Sequence, residues 1–332
     1  MSDSWVYALN DKGFITKCYS PIEKRGKGRC NHIFFQNENE SEGAFIRRVI
    51  KRQKDIEERF TKIVKEEDHF VRIGSKGVQD KWYDENNHLF YKGDSDIHEG
   101  LHENLVPKIL QGSNISYINY DSCVIKENNK TKIGCVSKDF LLKDDNRSKF
   151  NEVTLKEILG ADCIQKMLET NNINNAFNII INEVKNKTNI DYEEHLLKIL
   201  AIDIITLNHD RHLENLTFLQ DGKNFKLASI FDHGCSFDNE ILKNGDCRNR
   251  LSTFLKKGKN QNDMLYSLND YLSLFKNRKC LLKLSNNIYD VIENYNNDLY
   301  TPYEVKQCKL LLLDRLKETE GILWEKGISQ DH

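Results

Sequence analysis

Leu207-Asn208-His209-Asp210-Arg211-His212-Leu213-Glu214-Asn215-Leu216-Thr217-Phe218 places an aspartate, an asparagine and a cluster of basic side chains inside a short apolar frame. A second stretch, Ala228-Ser229-Ile230-Phe231-Asp232-His233-Gly234, reads as an apolar strand ending on a carboxylate and a glycine. Ahead of both, Leu196, Leu197, Ile199, Leu200, Ala201, Ile202, Ile204, Ile205 and Leu207 leave little polar face between Tyr192 and Leu207, which predicts a buried helix. Two carboxylates and one asparagine are therefore expected beside short β-type segments, delivered by the most apolar helix of the chain.

Outward from this core the halves differ. After Lys138 the apolar spacing predicts helices over Thr154 to Leu168, Ala176 to Val184, Met264 to Phe275, Leu281 to Tyr295 and Tyr303 to Leu316. Before it, Val71-Arg72-Ile73, Lys81-Trp82-Tyr83 and His88-Leu89-Phe90-Tyr91-Lys92 read as strands, divided by Gly74-Ser75-Lys76-Gly77 and by the turn-rich Asp84-Glu85-Asn86-Asn87. Glu99 to Leu110 has helical spacing, with Pro107 expected to kink or end it. Ile115 to Ile125 and Lys132 to Val136 return to β character, so the order β-β-β-α-β-β describes a small mixed lobe. Residues 1 to 40 alternate weakly around Trp5-Val6-Tyr7 and Ile33-Phe34-Phe35, a small strand-rich cap, and Glu42 to Glu67 predicts a long amphipathic helix. The expected organisation is α+β, with an N-terminal extension over 1–70, a β-rich lobe over 71–138 and an α-rich lobe over 139–332.

Composition narrows the function classes. The 332 residues are 39% hydrophobic and 30% charged, which argues against a membrane protein. Lysine and arginine number 49 against 51 acidic residues, a formal charge of −2, so no overall basic excess points to nucleic acid. The basic segment Lys24 to Arg29 lacks the aromatic set that stacks bases and reads as a solvated loop or a docking point for a macromolecular substrate. No basic region followed by an apolar stretch opens the chain, and no apolar run approaches about 18 residues. Nine scattered cysteines without a CxxC pair fit a reduced, cytoplasmic compartment, and the spacing of Cys18, Cys30 and His32 is poor for zinc.

Asp210 and Asn215 stand five apart, the separation of the catalytic loop HRDxxxxN, in which Asp accepts the substrate hydroxyl proton and Asn holds magnesium. Asp232 with Gly234 matches the metal-holding aspartate of the same chemistry. A triphosphate needs cations to neutralise the charge that develops in transfer, and magnesium takes carboxylate, amide and water oxygens. Lys92 ends a strand, where it can reach the α- and β-phosphates, and the following helix offers Glu99 or Glu103 as its partner. Glu103, mid-helix, is the better placed of the two. Gly74-Ser75-Lys76-Gly77 would cover the phosphates with backbone amides. The competing reading makes Asp210, Asn215 and Asp232 caps of two local turns and Lys92 a solvated strand end. His209, His212 and His233 lack a helical ligand pair, so His212 is expected to orient its loop, and Arg211 to pair with Asp203 on the preceding helix.

The patterns NHDRHLEN and IFDHG, with WYDENNHLFYKGD and EGLHENLVPKIL upstream, resemble the HipA-like serine/threonine kinases, including the smaller CtkA-type members. The resemblance runs from Val71 to Phe237. It implies a two-lobed protein-kinase-like fold using ATP and magnesium, with Asp210 as base, Asn215 and Asp232 on the metal and Lys92 on the phosphates. It also implies adenine contacts from backbone groups near Cys135-Val136-Ser137-Lys138, with Val136 as the named cofactor residue, and autophosphorylation at Ser75. The expected partner is a protein substrate, with a regulatory or antitoxin protein as a further candidate. The first 70 residues do not match the N-terminal subdomain of the larger HipA toxins, so antitoxin binding and DNA-linked regulation do not carry over. Two other readings stand beside this one: a small-molecule or phosphoinositide kinase, since DRHxxN with a DxG-type aspartate also resembles the latter, and a pseudokinase or interaction module without turnover.

Overall fold

Alternation in the strands decides the first layer. The computed structural model describes residues 79–95, 98–127, 130–143, 148–170, 172–208, 210–237, 268–276, 278–279 and 282–327, together with 6–9, 15–18, 33–34, 41, 43–44, 46–48, 51, 61–63 and 70–73 before them. The N-terminal cap is a three-stranded antiparallel sheet of β1 (Val6–Leu9), β2 (Ile15–Cys18) and β3 (Ile33–Phe34), in the order β2-β1-β3. A six-stranded sheet follows, built from β4 (Thr61–Ile63), β5 (Phe70–Ile73), β6 (Lys81–Asp84), β7 (Leu89–Gly93), β8 (Asp121–Glu127) and β9 (Lys130–Lys138), in the order β4-β8-β9-β7-β6-β5.

Trp82 and Tyr91 face each other across β6 and β7 and pack with Cys123, Ile125 and Val136 into one apolar cluster. Such cross-strand aromatic pairs are the unit of sheet stability. Asp84 closes the β6–β7 turn by accepting from Asn86 N and Asn87 N, each at 3.0 Å, which leaves His88 in the left-handed region at φ 53°. The loop Gly74 to Gly77 lies outside the described residues.

Thr61–Ile63 corrects the long helix expected from Glu42 to Glu67. Helical residues occur at 43–44, 46–48 and 51, but Thr61–Ile63 pairs parallel with Val124–Lys126. Two of its three residues are β-branched, and a ladder with a distant strand outweighs the local helical period. α1 (Glu99–Leu110) has the expected bounds, with Leu101, Leu105, Val106, Ile109 and Leu110 buried. Pro107 neither ends it nor prevents its last turn: the proline removes one rung, to the Glu103 carbonyl, and the helix closes three residues later before Gly112 at φ 75°.

The chain divides into two compact units. One holds residues 1–104, 120–138 and 296–307, and the other holds 105–119, 139–295 and 308–332. In the second, β10 (Asn151–Thr154), β11 (Thr217–Asp221) and β12 (Asn224–Leu227) form a small antiparallel sheet. Thr154 caps α2 (Leu155–Glu169) in a capping box with Glu157, and Lys187 of α3 (Ile173–Thr188) donates to the Ile158 carbonyl at 2.7 Å where Gly160, φ 70°, breaks the helix. α4 (Glu193–Thr206) is buried continuously from Leu196 to Thr206, as its composition demands. α5 (Leu268–Lys276), α6 (Ile288–Asn294) and α7 (Pro302–Thr319) follow.

Two further expectations change here. Ala228–Phe231 is not a strand: β12 lies earlier, and Ile230 makes only an isolated parallel bridge to Tyr117. Leu281–Tyr295 is not one helix either, because β13 (Lys283–Leu284) pairs with β14 (Glu325–Lys326) and Asn114 Oδ1 accepts from Lys283 N at 2.9 Å. Ser285 and Asn287, both turn formers, then delay the helix to Ile288.

Candidate active site

Lys92 and Glu103 meet. Lys92 Nζ lies 2.6 Å from Glu103 Oε1, with the glutamate side chain only 1% exposed and that of the lysine 11%. The same ammonium stands 5.0 Å from the centre of the Tyr120 ring. Glu99 is committed elsewhere, accepting from Ser95 N at 2.8 Å and from the Ser95 hydroxyl, so the mid-helix carboxylate is the one that faces the strand. A lysine fixed by a buried carboxylate presents a point charge that phosphate oxygens can use. Cys135, in register with Lys92, is not a competing nucleophile: burial, reinforced by the Glu103 charge, pushes its thiol well up. Val136 lies one residue further along β9, its side chain inside the apolar cluster.

Asp94, two residues past Lys92, ties the strand to the helix. Its Oδ1 accepts from Gly100 N at 2.7 Å and its Oδ2 from the Tyr300 hydroxyl at 2.9 Å. Burial, then the neighbouring Glu99 charge, pushes the Asp94 carboxyl up to about 7. A folded-state value above the unfolded one means that this contribution to stability is complete below the ordinary carboxylate range and is lost as pH rises through about 7. Burial works against protonation of His98, but its hydrogen bond to Glu304 and the charges of Glu304, Asp94 and Glu99 raise it, a slope of the same sign. Burial favours protonation of Glu304 in turn, yet the His98 bond holds it down to about 2, so its contribution is lost only in strong acid. Asp94→Asn is therefore expected to melt closer to its own pH 5 value at pH 8 than the wild type does, read by circular dichroism. Equal slopes in the two proteins would remove Asp94 as the source.

In the other unit a single buried ion pair organises the loops. Arg211, 1% exposed, donates from Nε to Asp203 Oδ2 at 2.9 Å and from Nη2 to Asp203 Oδ1 at 3.0 Å. Its Nη1 donates to the Phe231 carbonyl at 2.8 Å and to the Asn215 carbonyl at 3.4 Å, so one guanidinium binds the backbone beside Asn215 and beside Asp232. Burial pushes the Asp203 carboxyl up, against the pull of the guanidinium and the Asn208 amide. Leu207 turns the chain off α4 with φ 53°, and Asn208 then donates from Nδ2 to Asp203 Oδ1 at 3.1 Å and to the Asp232 carbonyl at 3.3 Å. Asn208 Oδ1 accepts from Asp210 N at 3.1 Å, and Asn215 Nδ2 donates to the Asp210 carbonyl at 3.2 Å.

Asp210, Asn215 and Asp232 are thus brought into one hydrogen-bonded network, and the partner expected for Arg211 is the one found. His212 Nδ1 accepts from Glu214 N at 3.3 Å, the loop-orienting role, while His209 lies outside the described residues. Asn215 donates through its amide nitrogen, and its Oδ1 is a donor oxygen of the kind a hard cation takes. Among the described residues no group of three or more His, Cys, Asp and Glu converges on a metal position. A hard cation held by Asn215 and Asp232, completed by phosphate oxygens and water, fits that donor set.

No protein-family model and no curated protein matches the sequence. Among solved structures, the proinflammatory kinase CtkA of Helicobacter pylori superposes with a TM-score of 0.52 at 17% identity, over 75% of this chain and 91% of that one. This chain has the CtkA kinase fold. HipA of Shewanella oneidensis MR-1, solved with HipB and operator DNA, superposes with a TM-score of 0.45 at 13% identity, over 82% of this chain and 70% of that one.

Within the CtkA kinase fold, four residues carry geometry that sequence reasoning left unassigned. Asn208 holds Asp210 N, Tyr120 stands beside Lys92, and Asp94 and Tyr300 tie the strand end past Lys92 to the start of α1. Asn208 had a signal, a side chain two residues before Asp210 able to bond forward to its amide. Tyr300 had none, standing 206 positions from Asp94. No helix among the described residues is long and apolar enough to cross a membrane.

Proposed function

We propose that the protein transfers the γ-phosphoryl group of ATP, with magnesium, to a serine or threonine hydroxyl of a protein, itself included. The observation that carries this reading is the 2.6 Å Lys92–Glu103 pair in a chain of the CtkA kinase fold. A lysine used only for solubility gains nothing from a buried carboxylate, whereas one that must hold phosphate oxygens in a fixed place needs it.

In this reading Lys92 binds α- and β-phosphate oxygens, and Gly74, Ser75, Lys76 and Gly77 cover the phosphates with backbone amides. Asp210 takes the proton of the acceptor hydroxyl, its backbone held by Asn208 and Asn215. Asn215 and Asp232 hold magnesium, which when bound neutralises charge developing on the transferred group. Arg211 fixes the two metal-bearing loops to each other through the carbonyls of Asn215 and Phe231. Backbone groups around Val136 take the adenine, and Ser75 is the candidate autophosphorylation site. The acceptor is a protein, and the protein works in the cytoplasm.

The test is intact and peptide mass spectrometry after incubation with magnesium and ATP, beside Asp210→Ala. A phosphoryl group added to a serine or threonine of the wild type, with the rate cut about 10²- to 10⁴-fold in the variant, is the expected result. Nucleotide binding without transfer to any protein, combined with phosphorylation of a small alcohol or lipid, would replace the protein acceptor by a small one. Binding with no turnover at all would make the chain a pseudokinase.

A further inference from the structure

We infer that the segment Asn296–Gln307 positions the Lys92–Glu103 pair, with Tyr300 and Asn297 as its two holding points. The inference rests on the kinase reading for its activity consequence and on geometry within one compact unit for everything else, since this segment folds with residues 1–104 and 120–138.

The segment grips both ends of the stretch that carries the pair. At the start of α1, the Tyr300 hydroxyl donates to Asp94, which in turn receives Gly100 N, so strand end and helix start share one carboxylate. His98 Nε2, at the same place, lies 3.0 Å from Glu304 Oε1. One turn on, Asn297 Nδ2 donates to Ser122 Oγ at 2.7 Å and to Asn104 Oδ1 at 3.4 Å, and Asn104 Nδ2 donates to the Tyr120 carbonyl at 2.6 Å. Asn104 is the neighbour of Glu103, and Tyr120 supplies the ring beside Lys92. The segment thus acts on the residues flanking both members of the pair.

Its own conformation is over-determined. Asn297 Oδ1 accepts from Leu299 N at 3.2 Å, and Thr301 with Glu304 forms a reciprocal capping box around Pro302 at the first position of α7. Tyr300, Leu299, Asn297 and Thr301 are all buried. The fit is close: a β-carbon on Gly100 would stand 2.6 Å from the Tyr300 hydroxyl and 2.8 Å from the Gly134 backbone. Gly134 in turn is required because a β-carbon there would meet the Lys92 carbonyl at 2.0 Å. A helix start seated this tightly has few alternative placements, and the hydroxyl of Tyr300 is one of the groups that selects among them.

The experiment is a double-mutant cycle of Tyr300→Phe and Glu103→Gln, read in two ways. Acylation of Lys92 by acetic anhydride, followed by peptide mass spectrometry against the other lysines, reports the pair without any catalysis. ATP-dependent autophosphorylation reports KM and kcat. Tyr300→Phe is expected to raise the Lys92 labelling rate several-fold and to raise KM for ATP by about tenfold, the worth of one net hydrogen bond. In the Glu103→Gln background it should change neither. Tyr289→Phe, which removes a tyrosine hydroxyl from the other unit, should leave Lys92 labelling at the wild-type rate. Additive effects, or unchanged Lys92 labelling in Tyr300→Phe, would overturn the inference. A non-additive labelling cycle in a protein that never turns over ATP would keep the positioning role and sink the kinase reading instead. Should Tyr300→Phe fail to fold, Asn297→Ser enters the same cycle at the other holding point.

Discussion

Arg211→Met is expected to destabilise the α-rich unit by about 3–5 kcal/mol, the cost of removing one partner from a buried ion pair. The guanidinium is not a surface ornament that water would replace. Asp203 is 0% exposed and takes two of its hydrogen bonds from Arg211, so methionine fills the volume while stranding a carboxylate. The backbone carbonyls of Phe231 and Asn215 lose their donor in the same step. Urea unfolding followed by circular dichroism measures the loss. Arg211→Met with Asp203→Leu removes both charges and is expected to recover most of the stability, because a matched apolar pair is often no worse than a buried salt bridge. On the proposed function it should not recover phosphoryl transfer, since the loops bearing Asn215 and Asp232 lose their common anchor. A single variant within about 1 kcal/mol of wild type would show that Asp203 finds another partner and that the network is not built on this pair.

The second large effect separates stability from chemistry at Lys92. Lys92→Met takes the ammonium from a glutamate that is 1% exposed, and a loss of about 3–5 kcal/mol is expected in the unit that holds the six-stranded sheet. Lys92→Met with Glu103→Leu is expected to fold near wild-type stability. On the proposed function neither variant binds ATP with wild-type affinity, because both lack the charge it assigns to the phosphates. Equilibrium unfolding and a fluorescent-nucleotide displacement assay together give the four numbers needed. If the double variant bound nucleotide normally, Lys92 would be a structural lysine, and the functional reading of the strand would fall.

What could be read in advance follows from the range of the forces involved. Helix α1, the strands flanking it and the choice of Glu103 over Glu99 were legible because periodicity and three- or four-residue spacing are local properties. The Arg211–Asp203 pair was legible for a related reason: a buried helix followed at once by a cation leaves few nearby carboxylates to receive it. Thr61–Ile63 was not, since its strand exists only through pairing with Val124–Lys126, and its own residues also suit an amphipathic helix. Ala228–Phe231 erred the other way, apolar enough for a strand but given a single bridge by Tyr117. Tyr300 and Asn297 were out of reach because the acceptor of Tyr300 lies 206 positions away and those of Asn297 193 and 175, and no repeating pattern marks them.

Asp232 sits in the left-handed region at φ 63°. Glycine, asparagine and aspartate visit that region most readily, and a β-branched side chain there is a genuine outlier. The turn by itself therefore favours three residue types, of which one carries a charge. A descendant of this chain with no use for a charge at 232 would drift to asparagine or glycine there without straining its backbone, while valine or isoleucine would stay closed to it. The carboxylate is thus the part of this position that geometry leaves to selection, and Asp232→Asn, which keeps the backbone and drops the charge, is the substitution that reads that selection alone.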